Sequence, residues 1–159
     1  MERDTANFID FLVEAKKQTY ASETNDASVR PLWNGAKQLE YQKDDYLYRD
    51  IYFGSVFFAG QEVVEEKERP VWSMVYSGGV VIPSLPRAQV ASVYAFLRKA
   101  LRLVDVQAPY RGPRQWRDGS YTYQNDYEGT WERFCGEERI FIAGEKVYEL
   151  RYSGGLIIP

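Results

Sequence analysis

Two glutamates stand in settings where a carboxylate could do chemistry. Glu62 lies in Phe58-Ala59-Gly60-Gln61-Glu62-Val63-Val64, and Glu138 in Phe134-Cys135-Gly136-Glu137-Glu138-Arg139-Ile140. Alternate residues of a strand share a face. Each carboxylate therefore shares its face with a Phe, a Gly and a β-branched residue. Burying a bare carboxylate is expensive, so each needs a partner or a wet cavity. The glycine two positions earlier leaves room above the sheet. Trp72 and Tyr76 share a face with Met74, and Tyr148 and Tyr152 with Leu150. If both carboxylates meet in a space walled by Trp72, Tyr76, Tyr148 and Tyr152, they repel each other, and a cation relieves the repulsion. The candidate ligand-binding set is thus Glu62, Glu138, Trp72, Tyr76, Tyr148 and Tyr152. The expected ligand is a small cationic or aromatic molecule. Two other readings stay open. The carboxylates could be structural, satisfied by Tyr hydroxyls or by Arg49 or Arg139, or they could form a general acid/base pair. No second type of catalytic group is recognisable beside them, so no catalytic residue is assigned. The leading reading is a non-enzymatic effector-binding or regulatory module. The alternatives are a paired-Glu enzyme and a module that binds a protein partner or a second copy of itself.

Composition narrows the chemistry. The 159 residues hold no His, which excludes His-dependent triads and His metal sites, and one Cys, which excludes an intrachain disulfide and a Cys zinc site. No metal or cofactor is expected. The net charge of −3 offers no basic field for nucleic acid. Arg111, Arg114 and Arg117 around Trp116 read as a surface loop. Cys135, with no adjacent base, reads as an inert packed thiol. No apolar run approaches the roughly 20 residues of a membrane span, and Glu2, Asp4, Asp10 and Glu14 are unlike a signal peptide. A lone thiol suits the reducing cytoplasm.

The elements that would position the glutamates are legible as repeats. Tyr76-Ser77-Gly78-Gly79-Val80-Val81-Ile82-Pro83 recurs as Tyr152-Ser153-Gly154-Gly155-Leu156-Ile157-Ile158-Pro159, an offset of 76 that also aligns Glu62 with Glu138. Tyr46, Tyr48, Tyr52 and Gly54 match Tyr121, Tyr123, Tyr127 and Gly129 at an offset of 75. Apolar stripes predict helices over 5–20 and 86–104, with Glu14, Lys16 and Lys17 outside the first stripe. Polar stretches over 22–35 and 107–119 read as loops, and the Ser-Gly-Gly segments as hairpin turns. The expected fold is α+β: an internal duplication of a helix plus an antiparallel β-meander, two halves related by a pseudo-two-fold axis. Residues 1–83 and 84–159 would be the two repeats of a single domain, 1–159.

The run Tyr46-Leu47-Tyr48-Arg49-Asp50, then Gly60-Gln61-Glu62-Val63-Val64, then Pro70-Val71-Trp72-Ser73-Met74, with the opening Phe8-Ile9-Asp10-Phe11-Leu12, resembles an uncharacterised bacterial domain of unknown function. That domain occurs alone or behind XRE-type helix-turn-helix regulators. A looser likeness, at the level of fold, is to the gyrase-inhibitor-like and SOUL effector-binding domains. There, an acidic residue with aromatics often lines a central pocket. Both likenesses imply a regulatory or effector-binding context; neither implies an activity.

Overall fold

The computed structural model describes residues 4–22 and 24–159; Glu2, and Glu23 of the expected 22–35 loop, lie outside them. Helix α1, Thr5–Gln18, starts at Asp4, whose side chain accepts a hydrogen bond from the Asn7 amide at 3.3 Å. Its residues Phe8, Phe11, Leu12 and Ala15 are buried. Five strands follow: β1 (Ser28–Val29), β2 (Lys37–Lys43), β3 (Tyr46–Gly54), β4 (Phe57–Glu66) and β5 (Arg69–Val80). Helix α2, Arg87–Leu101, begins just after Pro86. It leads to β6 (Gln115–Asp118), β7 (Tyr121–Thr130), β8 (Arg133–Ile142) and β9 (Glu145–Leu156).

The nine strands form one antiparallel sheet in the order β1-β2-β3-β4-β5-β9-β8-β7-β6. Directly paired residues point to the same side, so the register defines the faces. Tyr48, Asp50, Glu62, Val64, Trp72, Met74 and Tyr76 share one face with Tyr123, Asn125, Glu138, Ile140, Tyr148, Leu150 and Tyr152, and all fourteen are buried. Both helices cover that face. Phe8 and Phe11 of α1 pack on Tyr46 at ring distances of 5.8 and 5.0 Å. Phe96 of α2 packs on Trp116 and Tyr121, both at 5.0 Å, and Tyr94 lies between Phe58 and Tyr148, 6.0 Å from each. No helix among the described residues is long and apolar enough to cross a membrane.

This architecture corrects the expected α+β duplication of helix-plus-meander halves. Among the described residues the fold is one nine-stranded antiparallel sheet carrying only two helices, of 14 and 15 residues. Two features of the chain account for the difference. The polar stretches read as loops contribute strands at both sheet edges: β1 falls in the first and β6 in the second. The Ser-Gly-Gly segments, read as hairpin turns, lie within β5 and β9, which pair with each other and merge all strands into one sheet. Glycine is needed at that seam. A Cβ at Gly78 would strike the backbone of Glu149 and Leu150, and one at Gly154 the backbone of Ser73 and Met74.

Candidate functional site

The two sequence-predicted glutamates are buried on neighbouring parts of the covered face, and each carries its own cation. Glu138 is fully saturated. Its Oε1 accepts from Arg111 Nη2 at 2.5 Å and from the Tyr148 hydroxyl at 2.7 Å. Its Oε2 accepts from Arg111 Nε at 3.2 Å and from the Tyr123 hydroxyl at 2.6 Å. A bidentate guanidinium on a carboxylate is a strong and directional pairing. The surroundings are equally closed. The Gly112 amide donates to the Tyr123 hydroxyl at 3.0 Å, and Asn125 Nδ2 donates to the Gly112 carbonyl at 2.9 Å. Tyr152 donates to Asn125 Oδ1 at 2.7 Å. Burial, with the Glu138 charge next, pushes the Tyr123 and Tyr148 hydroxyls well above their ordinary range, so both stay donors.

Glu62 is less well served. Its Oε2 accepts from Lys16 Nζ at 2.6 Å, and Lys16 also donates to the Tyr110 carbonyl at 2.8 Å. Both side chains are fully buried. Burial pulls the Lys16 ammonium below its ordinary value, against the pull of Glu62. Glu62 Oε1 and the Tyr48 hydroxyl, both buried, have no hydrogen-bond partner. Such orphaned polar atoms are uncommon in a folded interior and often mark functional places.

Asp50 adds a third acid. It faces Glu62 across the β3–β4 pairing, is 2% exposed, and accepts from the Tyr76 hydroxyl at 2.6 Å. Burial and the Glu62 charge push the Asp50 carboxyl up to about 7, against the opposing influence of Tyr76, Arg111 and Lys16. The sequence builds this contact through Gly60. A Cβ there would collide with the Tyr76 ring, so only glycine lets Tyr76 lie across β4 and reach Asp50.

A cavity of about 280 Å³ opens beside Asp50. Its buried end is formed by Asp50, Tyr76 and Arg111, the last with its guanidinium 5.3 Å from the Tyr20 ring and 5.8 Å from the Tyr76 ring. Tyr52, Phe58 and Tyr94 form aromatic walls, and Leu97 and Leu101 of α2 an aliphatic one. The exposed side chains of Lys37, Ser55 and Arg98 stand at the mouth. An apolar slot that ends on a few convergent polar groups is the usual form of a small-molecule site.

Of the six sequence-predicted residues, only Tyr76 lines this cavity. Glu62 and Glu138 sit in separate ion pairs, so two unpaired carboxylates do not share one space. Tyr148 is held by Glu138 and Tyr152 by Asn125. Trp72 stacks on Phe134 at 5.7 Å and donates its indole N–H to the Trp131 carbonyl at 3.0 Å. Arg49 and Arg139 pair with other acids: Arg49 with Glu40 and Glu65, Arg139 with Asp126 and Glu137. Cys135 is exposed rather than packed.

Three residues of the site escaped the sequence reading. Lys16 follows Leu12 by four residues and Phe8 by eight, so it continues the apolar ridge of α1 inward. Asp50 alternates with Tyr46, Tyr48 and Tyr52, which assigns it to their covered face. Arg111 lies in the irregular segment after α2 and is 3% exposed rather than on the surface; nothing in its local sequence announces that burial.

The family model described as a domain of unknown function, DUF5680, matches residues 50–157. The chain belongs to the DUF5680 family. No curated protein and no solved structure matches it significantly. The DUF5680 segment contains Asp50, Glu62, Tyr76, Arg111 and Glu138, whereas Lys16, Tyr20 and Lys37 precede it. The cavity is thus assembled from the DUF5680 segment and from the α1–β2 region before it.

Proposed function

We propose that this DUF5680 chain is a small-molecule-binding or regulatory module, with its ligand held in the cavity above Asp50. The reading is carried by one observation: a slot of about 280 Å³ with apolar walls ends on Asp50, Tyr76 and Arg111, all buried. A carboxyl buried at a cavity wall beside a second acid is costly for folding alone, and a ligand that hydrogen-bonds to it offsets that cost. The single Cys, exposed and free, supports a reducing, cytoplasmic setting. A second reading has Asp50 as a general acid or base. It is favoured by the rise of its carboxyl to about 7 beside an open cavity.

A ligand-observed NMR screen with small aromatic fragments tests the proposal. Hits are expected to lose their signal in Ser55→Trp, which closes the mouth, and to keep it in Val75→Trp on the opposite face of the sheet. Hits that survive Ser55→Trp, or a library without hits, contradict it. Chemical conversion of a bound fragment that stops in Asp50→Asn shifts the assignment to the second reading.

A further inference from the structure

The mouth of the cavity has a charge of its own. Several cations on the surface of this protein are paired with acids: Lys43 with Glu14, Arg49 with Glu40 and Glu65, Lys99 with Asp118, Lys146 with Glu149. Lys37 and Arg98 are not; neither has an acidic partner within 4.0 Å among the described residues. They come from elements far apart in sequence, β2 and α2, and both line the same opening. Lys37 sets its ammonium 5.9 Å from the Tyr52 ring, over the cavity wall. Tyr20, Lys37, Tyr52 and Arg98 also line a second, polar cavity of about 820 Å³, so the two cations stand where the apolar slot meets the polar groove. Deeper in, Arg111 adds a guanidinium to the lining, and among the described residues Asp50 is the one acid on it.

We infer that the ligand is a small aromatic anion, its ring in the slot walled by Tyr52, Phe58, Tyr94 and Leu97, and its carboxylate or phosphate between Lys37 and Arg98. This rests on the cavity being the binding site and adds the charge class of the occupant. Two cations without acidic partners, lining one opening, supply an anion with two charge-assisted contacts that break no existing ion pair. A cationic molecule of the same shape would face three positive side chains and one carboxyl.

The test is a matched series with one ring and three charges: naphthoate, naphthamide and naphthylmethylammonium, titrated at slightly acidic pH by calorimetry or NMR. Naphthoate is expected to bind roughly tenfold or more tighter than the ammonium compound. The doubly substituted Lys37→Ala/Arg98→Ala protein should bring naphthoate down to the affinity of naphthamide and leave naphthamide itself unchanged. The unchanged amide also shows that the slot is intact in the variant. Lys99→Ala, which removes a paired neighbour, should leave the preference in place. Equal binding of all three probes overturns the anion inference while the cavity assignment stands. Tightest binding of the ammonium compound overturns it in favour of a cationic ligand. No binding of any probe, together with an empty fragment screen, overturns the cavity assignment and the inference with it.

Discussion

Asn125 faces Glu138 across β7–β8 as Asp50 faces Glu62 across β3–β4, yet the two places are chemically unlike. On the Glu138 side the carboxylate has four hydrogen bonds, and its neighbour is a neutral amide bonded to Gly112 and Tyr152. On the Glu62 side one carboxylate oxygen is an orphan and the neighbour is an acid. Tyr123 bonds to Glu138, whereas Tyr48, at the matching point of β3, bonds to nothing. The cavity opens on the unsaturated side, against Asp50. A buried glutamate on this sheet is therefore compatible with pure structure. What sets the Asp50 side apart is the second acid and the bonds left unmade around Glu62 and Tyr48.

The comparison breaks first, and hardest, at Glu138. Glu138→Gln leaves Arg111 buried with its charge uncompensated, a loss on the order of 3–5 kcal/mol by chemical denaturation. A loss under 1 kcal/mol would show that the saturated cluster is not structural.

Asp50→Asn should act in the opposite direction. Asp50 titrates near 7 in the folded chain and near 3.9 when unfolded, so the folded state binds the proton more tightly. Stability is then fullest below about pH 4, falls as the pH rises towards 7, and stays low above it. The groups that set this are Glu62 on β4, Tyr76 on β5, Lys16 on α1 and Arg111 after α2. The asparagine retains an acceptor for Tyr76 and recreates the arrangement around Asn125. At pH 8 the variant should gain on the order of 2–4 kcal/mol over the native chain, with almost no gain at pH 4. Parallel pH–stability curves for the two proteins contradict the comparison.

Glu62→Gln is milder. Lys16 is already biased towards losing its proton and keeps the Tyr110 carbonyl, so the cost is about 1–3 kcal/mol in thermal or urea unfolding. A cost equal to that of Glu138→Gln would erase the distinction between the clusters. The finest probe is a pair of hydroxyl deletions. Tyr123→Phe should cost about 1–2 kcal/mol, because it strips a donor from Glu138 and an acceptor from Gly112. Tyr48→Phe removes a hydroxyl with no partner and should be neutral or slightly stabilising.

What could be read from the chain follows from the range of the signals. Strand alternation is local, and it brought Tyr46, Tyr48, Glu62 and Glu138 to one covered face. The same alternation carries Asp50, although its polar type among the aromatic positions does not announce burial. Residue type points Lys16 to solvent, whereas its spacing from Phe8 and Leu12 runs inward; the Glu62 carboxylate is what makes that burial tolerable. The pairing of β5 with β9 joins residues about 76 apart and has no local signature, so glycines that permit close approach of two strands look like turn glycines. Arg111 is drawn in by Glu138, a contact made across 27 residues of irregular and extended chain.

A carboxyl-carbon NMR titration of the Asp-labelled protein, with and without naphthoate, tests most directly that Asp50 is the acid presented to a ligand. Asp50 is expected to titrate close to pH 7, and its resonance and midpoint to move when naphthoate binds. An Asp50 that titrates near 4, and whose signal is unmoved by any bound aromatic probe, contradicts it.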